Sequence, residues 1–437
     1  MPAPTRSSAT SWRNSPSAYS AIGTAPFPAF HGSAMTEAPR ALPRAYTPAK
    51  TTELGIAARL GLRRLAKRFR GGLEPAPDLE GFRRFFSKVL KQLPAGTLVD
   101  ARLVELPATR APWTGTGITL DAGDRVTTFA IGRTDMAKPL DIWVAPPFQM
   151  WLRIGAGPVF RGTRDSHSTV VTGAGGELSL ASYFPGEWAT PDGRLGTDPA
   201  EYAKVSGTIL VAVLVWAVPI EEGLQRLAAL GDFAGLVAGE LDRLGNGRQP
   251  PAGWKHLWFL GDSETFFRCE EPGKSRAIAC HTRRDVAILQ YDADAALEPG
   301  LRLEWNWRVD RLPTDLREDS LPSHDYMSIA VEYDNGQDLT YYWSAALPVG
   351  TVYRCPLPTW KSRETHVVLR SGPDGLGRWQ AESRDIHADY GAAIGGAVPA
   401  RVKRVWLIAN SLFGRGEGIS VFADITLVAG ERRIPIG

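Results

Sequence analysis

The chain has 437 residues and a formal net charge of +3, with 43% hydrophobic and 22% charged residues. This composition is typical of a globular protein with a sizeable core, and the small net charge argues against a nucleic-acid-binding protein. No apolar stretch reaches the roughly 18 residues of a membrane-spanning helix, and three cysteines (Cys269, Cys280 and Cys355) are too few for a disulfide framework and lack the paired spacing of a zinc site.

The segment 1–50 is rich in Ser, Pro, Ala and Thr and has no hydrophobic period, which predicts a disordered tail. Its acid-poor start is similar in composition to a transit peptide, but no apolar core of a secretory signal follows. We therefore expect a floppy tail, or an upstream extension of a start at Met35. With no secretory signal recognised, the expected location is cytoplasmic or membrane-peripheral.

The sequence pattern over residues 51–95 predicts basic amphipathic helices. One face of the first helix, at the 3.6-residue period, carries an apolar stripe formed by Leu54, Ala58, Leu62, Leu65 and Phe69. Basic side chains occupy much of the remaining surface, namely Arg59, Arg63, Arg64, Lys67, Arg68 and Arg70. Such a helix can lie on an anionic membrane surface, dock on an acidic partner or pack on its own domain. A second helix is expected over 78–93, with Asp78 as its N-cap.

From Thr97 the hydrophobic period changes to two, and short strands separated by Gly turns predict an antiparallel β-sandwich over 96–218. The order of several motifs resembles the bacterial galactophilic-lectin β-sandwich, namely Trp113, Thr116-Gly-Ile118, Gly123-Asp124, Ala130-Ile-Gly132, Leu152-Arg-Ile-Gly155 and the strand that begins at Gly207. The resemblance implies sugar binding through a calcium ion.

The loop that matches the family's calcium loop runs over 198–207. Lys204 and Val205 stand where the family has its paired Asn residues, and an ammonium group opposes calcium binding. Asp198 and Glu201 still offer oxygen ligands. We therefore predict no cofactor, with calcium disfavoured, and a lectin-like sandwich retained as a structural or docking module.

A linker helix is predicted over 219–250, and it leads into a second β-domain over 251–437. Its strands alternate cleanly, with Trp305, Trp307, Trp379 and Ala381 expected in the core and their neighbours on a polar face. Seven motifs in this half resemble the bacterial domain-of-unknown-function family number 3047, namely Gly261-Asp-Ser-Glu-Thr-Phe266, Trp307-Arg-Val-Asp-Arg-Leu-Pro313, Asp325-Tyr326, Leu339-Thr-Tyr-Tyr-Trp-Ser344, Arg370-Ser-Gly372, Gly377-Arg-Trp-Gln-Ala-Glu-Ser-Arg384 and Asp389-Tyr390. The resemblance implies a concanavalin-like jelly roll, and a fold alone does not license a reaction. The predicted fold class is thus mainly β, with two antiparallel sandwiches joined by a helix.

If these strands belong to one sheet, its polar face gathers a functional set. Glu332 and Glu382 are the candidate catalytic carboxylates of a glycoside-cleaving enzyme. The candidate ligand-binding residues are Arg308, Tyr342, His366, Arg370 and Arg384, because arginines bind acidic groups in a bidentate manner. The alternative is a solvated sheet face with cross-strand Glu–Arg pairs.

Histidines offer a weaker metal hypothesis. His324 precedes one strand and Glu364-Thr-His366 opens another, and either His281 or His387 can complete a set. The spacing specifies no metal, so none is predicted.

The leading hypothesis is a protein that binds a carbohydrate, with anionic glycans as one candidate class, or another polar small molecule. Its ligand face is expected on the C-terminal jelly roll. The first alternative is a glycoside-cleaving enzyme that uses Glu332 and Glu382. The second is a peripheral membrane or assembly protein that acts through residues 52–93.

Overall fold

The computed structural model describes residues 41–110, 113–184 and 188–437. The fold is mainly β and its strands pair almost entirely in the antiparallel direction, as predicted, with one parallel pair in the C-terminal half. Among the described residues, no helix is both long and apolar enough to cross a membrane. Residues 1–40, which include most of the predicted tail, lie outside the described residues.

The N-terminal half contains five helices and nine strands within the described ranges. They are α1 (Lys50–Phe69), α2 (Leu79–Gln92), β1 (Leu98–Pro107), β2 (Thr114–Leu120), β3 (Arg125–Ala137), β4 (Ile142–Val144), α3 (Pro146–Gln149), β5 (Met150–Ile154), β6 (Phe160–Arg161), β7 (Ser166–Val170), β8 (Gly176–Ser182), β9 (Ser206–Trp216), α4 (Ile220–Leu230) and α5 (Leu236–Asn246). One sheet has the order β1-β9-β3-β4, with β7 also paired to β3, and the other has the order β2-β8-β5-β6.

The central strand β9 explains the longest apolar run of the sequence. Ile209, Val211, Val213 and Val215 face the core between the two sheets. The alternate residues of β9 face α2 and α4, which cover the opposite face of the same sheet. A strand buried on both faces has no polar alternation. The predicted linker helix is in fact two helices, because Gly231, at φ 143°, ends α4 and the Asp232 side chain accepts hydrogen bonds from the first amides of α5.

The C-terminal half contains thirteen strands and one helix among the described residues. They are β10 (Lys255–His256), β11 (Phe266–Arg268), β12 (Ile278–Arg283), β13 (Val286–Ala296), β14 (Arg302–Arg311), β15 (Tyr326–Tyr333), β16 (Asp338–Ser344), β17 (Val352–Arg354), β18 (Glu364–Ser371), β19 (Gln380–Asp385), α6 (Ile386–Ala393), β20 (Arg401–Asn410), β21 (Glu417–Ala429) and β22 (Arg432–Pro435).

These strands form a sandwich of two sheets. The seven-stranded sheet has the order β10-β13-β20-β15-β16-β18-β17, and the six-stranded sheet has the order β11-β12-β21-β14-β19 with β22 on β21. Trp305, Trp307 and Trp343 lie in the core between the two sheets. The outward face of the seven-stranded sheet is buried as well, because Leu257, Leu260 and residues 316–324 lie over it. Residues 316–324 are called the covering segment below.

Residues 41–49 do not follow the predicted disorder of the segment 1–50. The amide of Ala45 donates to the carbonyl of Ala393 at 3.0 Å, and the amide of Tyr46 donates to the carbonyl of Val352 at 3.1 Å. The Tyr46 hydroxyl donates to Asp319 at 2.6 Å. Backbone pairing to β17 therefore fixes this segment on the C-terminal sandwich before α1 begins.

Candidate functional site

Three of the predicted site residues lie on the outward face of the seven-stranded sheet. Their strand neighbours Val331, Tyr341 and Val367 point into the core, so Glu332, Tyr342 and His366 point away from it. Tyr342 and His366 are fully buried there, beneath the covering segment, Leu257 and Leu260. Glu332 accepts hydrogen bonds from Arg404 at 2.8 Å and from Arg363 at 3.5 Å.

Arg308 lies on the other sheet, on the outward face of β14. Its guanidinium binds Glu271 at 3.0 Å and Asp310 at 2.9 Å, and lies 5.3 Å from the ring centre of Trp379. Burial lowers the pKa of Arg308, but the hydrogen bonds and charges of Glu271 and Asp310 together outweigh it and raise the pKa above its usual range.

The remaining three residues lie between the sheets, at the edge formed by β19. Glu382 accepts a hydrogen bond from the Trp307 indole at 3.0 Å and from Arg370 Nε at 2.6 Å. Arg384 binds Asp389 at 2.6 Å and its guanidinium lies 5.9 Å from the ring centre of Tyr341.

The prediction of which side chains near β19 face the core is wrong. Glu382 pairs with Trp305 across the ladder and points inward with it, whereas Trp379 contacts Arg308 on the outer face. A register shift between β16 and β18 likewise pairs Arg370 with Trp343, a core residue. The single polar face is therefore not formed. Glu332 and Glu382 lie on opposite sides of the seven-stranded sheet, which is incompatible with two carboxylates that flank one glycosidic bond.

The loop that resembles a calcium loop uses its oxygens locally. Asp198 accepts a hydrogen bond from the amide of Ala200 at 2.9 Å and so caps the 3₁₀ turn Pro199–Lys204. Glu201 forms an ion pair with Lys204. Both carboxylates that were expected to offer ligands to calcium thus have protein partners.

The four histidines of the metal hypothesis divide into two groups. His281 Nε2 lies 2.8 Å from Glu417 at the surface, and His387 lies on α6. His324 and His366 instead meet under the covering segment, together with Cys355 and Glu364. The ligand atoms of these four side chains lie within 4.8 Å of one another, and all four residues are buried. The sequence hypothesis included two of these histidines and the glutamate but missed Cys355.

A cavity of about 510 Å³ lies at one end of the C-terminal sandwich. Its lining includes Trp254, two carboxylates and three cationic side chains, namely Glu270, Glu271, Arg268, Lys274 and Arg276. The indole N–H of Trp254 is buried and has no hydrogen-bond acceptor among the described residues. Burial, followed by the charge of Glu271, raises the pKa of the Cys269 thiol in this cavity to about 11.

Helix α1 contacts the protein through the side opposite its apolar stripe. Ile56 is buried, Arg63 binds Asp315 at 2.5 Å, and Lys67 Nζ lies 3.9 Å from Asp141. The large side chains of the stripe remain in solvent, with exposed fractions of 69% for Leu54, 68% for Leu62, 48% for Leu65 and 82% for Phe69. The sequence therefore predicted the stripe correctly, but the stripe does not pack on the protein.

Residues 252–426 match the family model described as "Protein of unknown function (DUF3047)", which confirms the resemblance predicted for the C-terminal half. None of the curated proteins compared with the chain matches it.

Among solved structures, the chain is similar to the N-terminal domain of EclA, a PllA-like lectin, at 18% identity over 27% of this chain and 98% of that one, with a TM-score of 0.21. It is also similar to the xyloglucanase domain of NopAA, a type three effector from Sinorhizobium fredii in complex with cellobiose, at 10% identity over 41% and 99%, with a TM-score of 0.23. A Paenibacillus xanthan lyase matches at 9% identity over 76% and 27%, with a TM-score of 0.17. Scores this low carry no argument about function, so function has to be argued from the geometry of the sites.

Proposed function

We propose that the protein is a peripheral membrane-surface protein, held on anionic lipid by α1. The observation that carries the proposal is the exposure of the apolar stripe. Apolar side chains that line up on one helix face and remain in solvent usually mark a contact with a membrane or a partner. The opposite side of α1 is already fixed by Ile56 and by the Arg63–Asp315 ion pair, so the stripe points outward from the protein.

The charges on α1 favour an anionic membrane over an apolar protein surface as the partner of the stripe. Among the described residues, Arg59, Arg64, Arg68 and Arg70 have no carboxylate within ion-pair distance, and Glu53 is the one acidic residue of the helix. Basic side chains beside an apolar helix face bind the phosphate and carboxylate groups of lipids, at about 1 kcal/mol for each Lys or Arg near the surface. The apolar residues then enter the headgroup region while the arginines remain beside it.

Co-sedimentation of the full-length chain with lipid vesicles tests this proposal. We expect binding to vesicles of phosphatidylcholine with phosphatidylserine, much weaker binding to phosphatidylcholine alone, and weakening by added salt. Phe69→Ser removes the most exposed apolar side chain. Full burial of such a side chain contributes about 1.5–3 kcal/mol, so its loss should lower the partition coefficient about 30-fold.

Val349→Ser is the matched control, because Val349 is 64% exposed and lies outside α1. It should leave vesicle binding unchanged. Equal binding by wild type and Phe69→Ser, or no binding by the full-length chain, contradicts the proposal. Binding by a chain that starts at Met35, without binding by the full-length chain, would mean that the preceding residues cover the stripe, and it contradicts the proposal as well.

The cavity beside Trp254 favours a second candidate function, the binding of an anionic glycan. Arg268, Lys274 and Arg276 provide three cationic groups in a space that fits a small oligosaccharide, and the largely buried Trp254 forms part of its wall. Arginine binds a sugar carboxylate in a bidentate manner. The predicted polar face on the same sandwich is not formed, so this cavity replaces it as the proposed ligand site.

Titration calorimetry with oligogalacturonate, compared with neutral galacto-oligosaccharide, tests the second candidate. We expect measurable affinity for the acidic sugar only, and a loss of at least tenfold in Arg268→Ala. Arg433→Ala is the control, because Arg433 pairs with Glu304 on the surface outside the cavity. Affinity that is equal for both sugars, or unchanged in Arg268→Ala, contradicts the assignment.

A further inference from the structure

Four side chains with metal-binding atoms meet under the covering segment of the seven-stranded sheet. Glu364 and His366 are two residues apart on β18, so both point to the outward face. The ladder between β17 and β18 places Tyr353 opposite His366, and the Cys355 amide donates to the carbonyl of Glu364 at 3.1 Å. Cys355 thus stands beside Glu364, and His324 approaches from the covering segment.

Two pairs of ligand atoms already have the spacing that a tetrahedral ion requires. Cys355 Sγ lies 3.4 Å from His324 Nε2, and Glu364 Oε1 lies 3.4 Å from His366 Nε2. Zinc binds these atom types at about 2.0–2.3 Å in tetrahedral sites, which separates neighbouring ligand atoms by about 3.3–3.8 Å. These two pairs fall within that range, and all four ligand atoms lie within 4.8 Å of one another, so side-chain rotations that move the atoms by about 1 Å bring the remaining pairs into it.

The second observation is the state of the imidazole rings. His324 Nδ1 donates to the carbonyl of Glu318 at 2.5 Å, which leaves the lone pair of Nε2 directed at the cluster. His366 is fully buried, its Nδ1 has no hydrogen-bond partner among the described residues, and its Nε2 has only the 3.4 Å contact with Glu364, which does not meet hydrogen-bond geometry. A buried polar atom without a partner costs about 1–3 kcal/mol, and native structures seldom leave one in that state.

The surroundings orient the carboxylate as well. Glu364 Oε1 accepts hydrogen bonds from the Tyr326 hydroxyl at 3.0 Å and from the Thr340 hydroxyl at 3.2 Å. The Tyr353 ring stacks on His366 at a centroid distance of 4.9 Å and an interplanar angle of 10°, which holds the imidazole plane. Hydrogen-bonded carboxylates and oriented histidines of this kind surround known metal ligands.

We propose that His324, Cys355, Glu364 and His366 bind one zinc ion as a closed structural site. The donor set of two imidazoles, one thiolate and one carboxylate suits zinc, and the two anionic ligands neutralise its charge within the buried face. Binding converts the Cys355 thiol to a thiolate and releases its proton to solvent. All four ligands are buried, so no coordination position remains open to a substrate. The ion cross-links the β17–β18 hairpin to the covering segment.

Cobalt substitution of the full-length protein tests the site. The chain is purified under reducing conditions, stripped with a chelator and titrated with Co²⁺. We expect one equivalent to bind, with the visible d–d bands of tetrahedral cobalt and a thiolate-to-cobalt charge-transfer band. Cys355→Ser should lose the charge-transfer band. Cys269→Ser is the control, because Cys269 is half-buried, whereas Cys280 and Cys355 are buried, and it lies outside the cluster. This variant should keep the charge-transfer band.

Three further measurements do not require a ligand variant to fold. Elemental analysis of the wild type should find one zinc per chain, and removal of the zinc should lower the unfolding temperature reversibly. Tyr326→Phe retains all four ligands and should weaken cobalt affinity about 10–100-fold at unchanged stoichiometry. Absence of bound metal with no charge-transfer band in the wild type, or the same band in Cys355→Ser, overturns the proposal.

Discussion

Replacing Glu382 separates a structural role of this carboxylate from a catalytic one. Glu382 accepts from the buried Trp307 indole and from Arg370, and its side chain is 14% exposed. Glu382→Ala leaves the indole N–H without an acceptor, at about 1–3 kcal/mol, and leaves Arg370 without its counter-ion. Breaking a buried ion pair costs about 3–5 kcal/mol, but Arg370 is 31% exposed and water compensates part of that. We therefore expect a total loss of about 3 kcal/mol in the free energy of unfolding.

Glu382→Gln retains an acceptor for the indole and loses only the charge, so its expected loss is about 1–2 kcal/mol. The assay is denaturant unfolding followed by tryptophan fluorescence, and Glu304→Ala is the control. Glu304 pairs with the exposed Arg433, and surface pairs contribute about 0–1 kcal/mol. A double-mutant cycle with Arg370→Met should give a coupling energy of at least about 1 kcal/mol. An unfolding free energy of Glu382→Ala within about 0.5 kcal/mol of wild type would refute the structural role.

Three further predictions concern stability. Burial, with the charge of Arg243, lowers the pKa of His167 to about 4 from 6.5, so the unfolded chain takes up a proton that the folded chain excludes as pH falls. Stability should therefore fall by about 2 kcal/mol between pH 7 and pH 5, and His167→Phe should lose that dependence in pH-resolved unfolding curves. Gly223→Ala should lower the melting temperature despite the better helix propensity of Ala, because the new Cβ would lie 2.3 Å from the Trp216 ring; a higher melting temperature would contradict this packing. Tyr46→Phe removes the hydrogen bond to Asp319 and should cost about 1 kcal/mol in the same unfolding assay, and no change would mean that this hydrogen bond does not stabilise the fold.

Local patterns were sufficient to predict the fold class. The alternation of Trp305 and Trp307 with polar neighbours placed β14 correctly, because a strand with one buried face has a period of two. The stripe on α1 was also predicted, since helical periodicity depends only on the spacing of the residues. What the stripe contacts depends on the rest of the protein, and that contact was not predictable from the helix alone.

The site residues were harder to predict, because each depends on pairing between distant strands. A single register shift between β16 and β18 turned Arg370 towards the core, and the edge position of β19 allowed Glu382 and Arg384 to point inward and cover indole and phenol rings. Neither feature has a local sequence signal. The His324, Cys355, Glu364 and His366 cluster needed the β17–β18 register and the covering segment as well, so the sequence showed only His324 and Glu364-Thr-His366 and gave no sign of Cys355.

The helix α1 and the proposed zinc site share the chain around 315–324. Asp315 binds Arg63 of α1, while Leu321 and Pro322 line an apolar groove with the first turns of the same helix. His324 follows directly and supplies one of four zinc ligands, whereas the other three lie on or beside β17 and β18. Loss of zinc would remove one of several contacts that hold this segment, alongside the hydrogen bonds that Glu318 accepts from Ser344 and Ala345, but loss of the apolar stripe would leave every ligand in place. Phe69→Ser should therefore keep its full metal content even where it no longer binds vesicles, so failure of the membrane proposal would leave the zinc proposal intact.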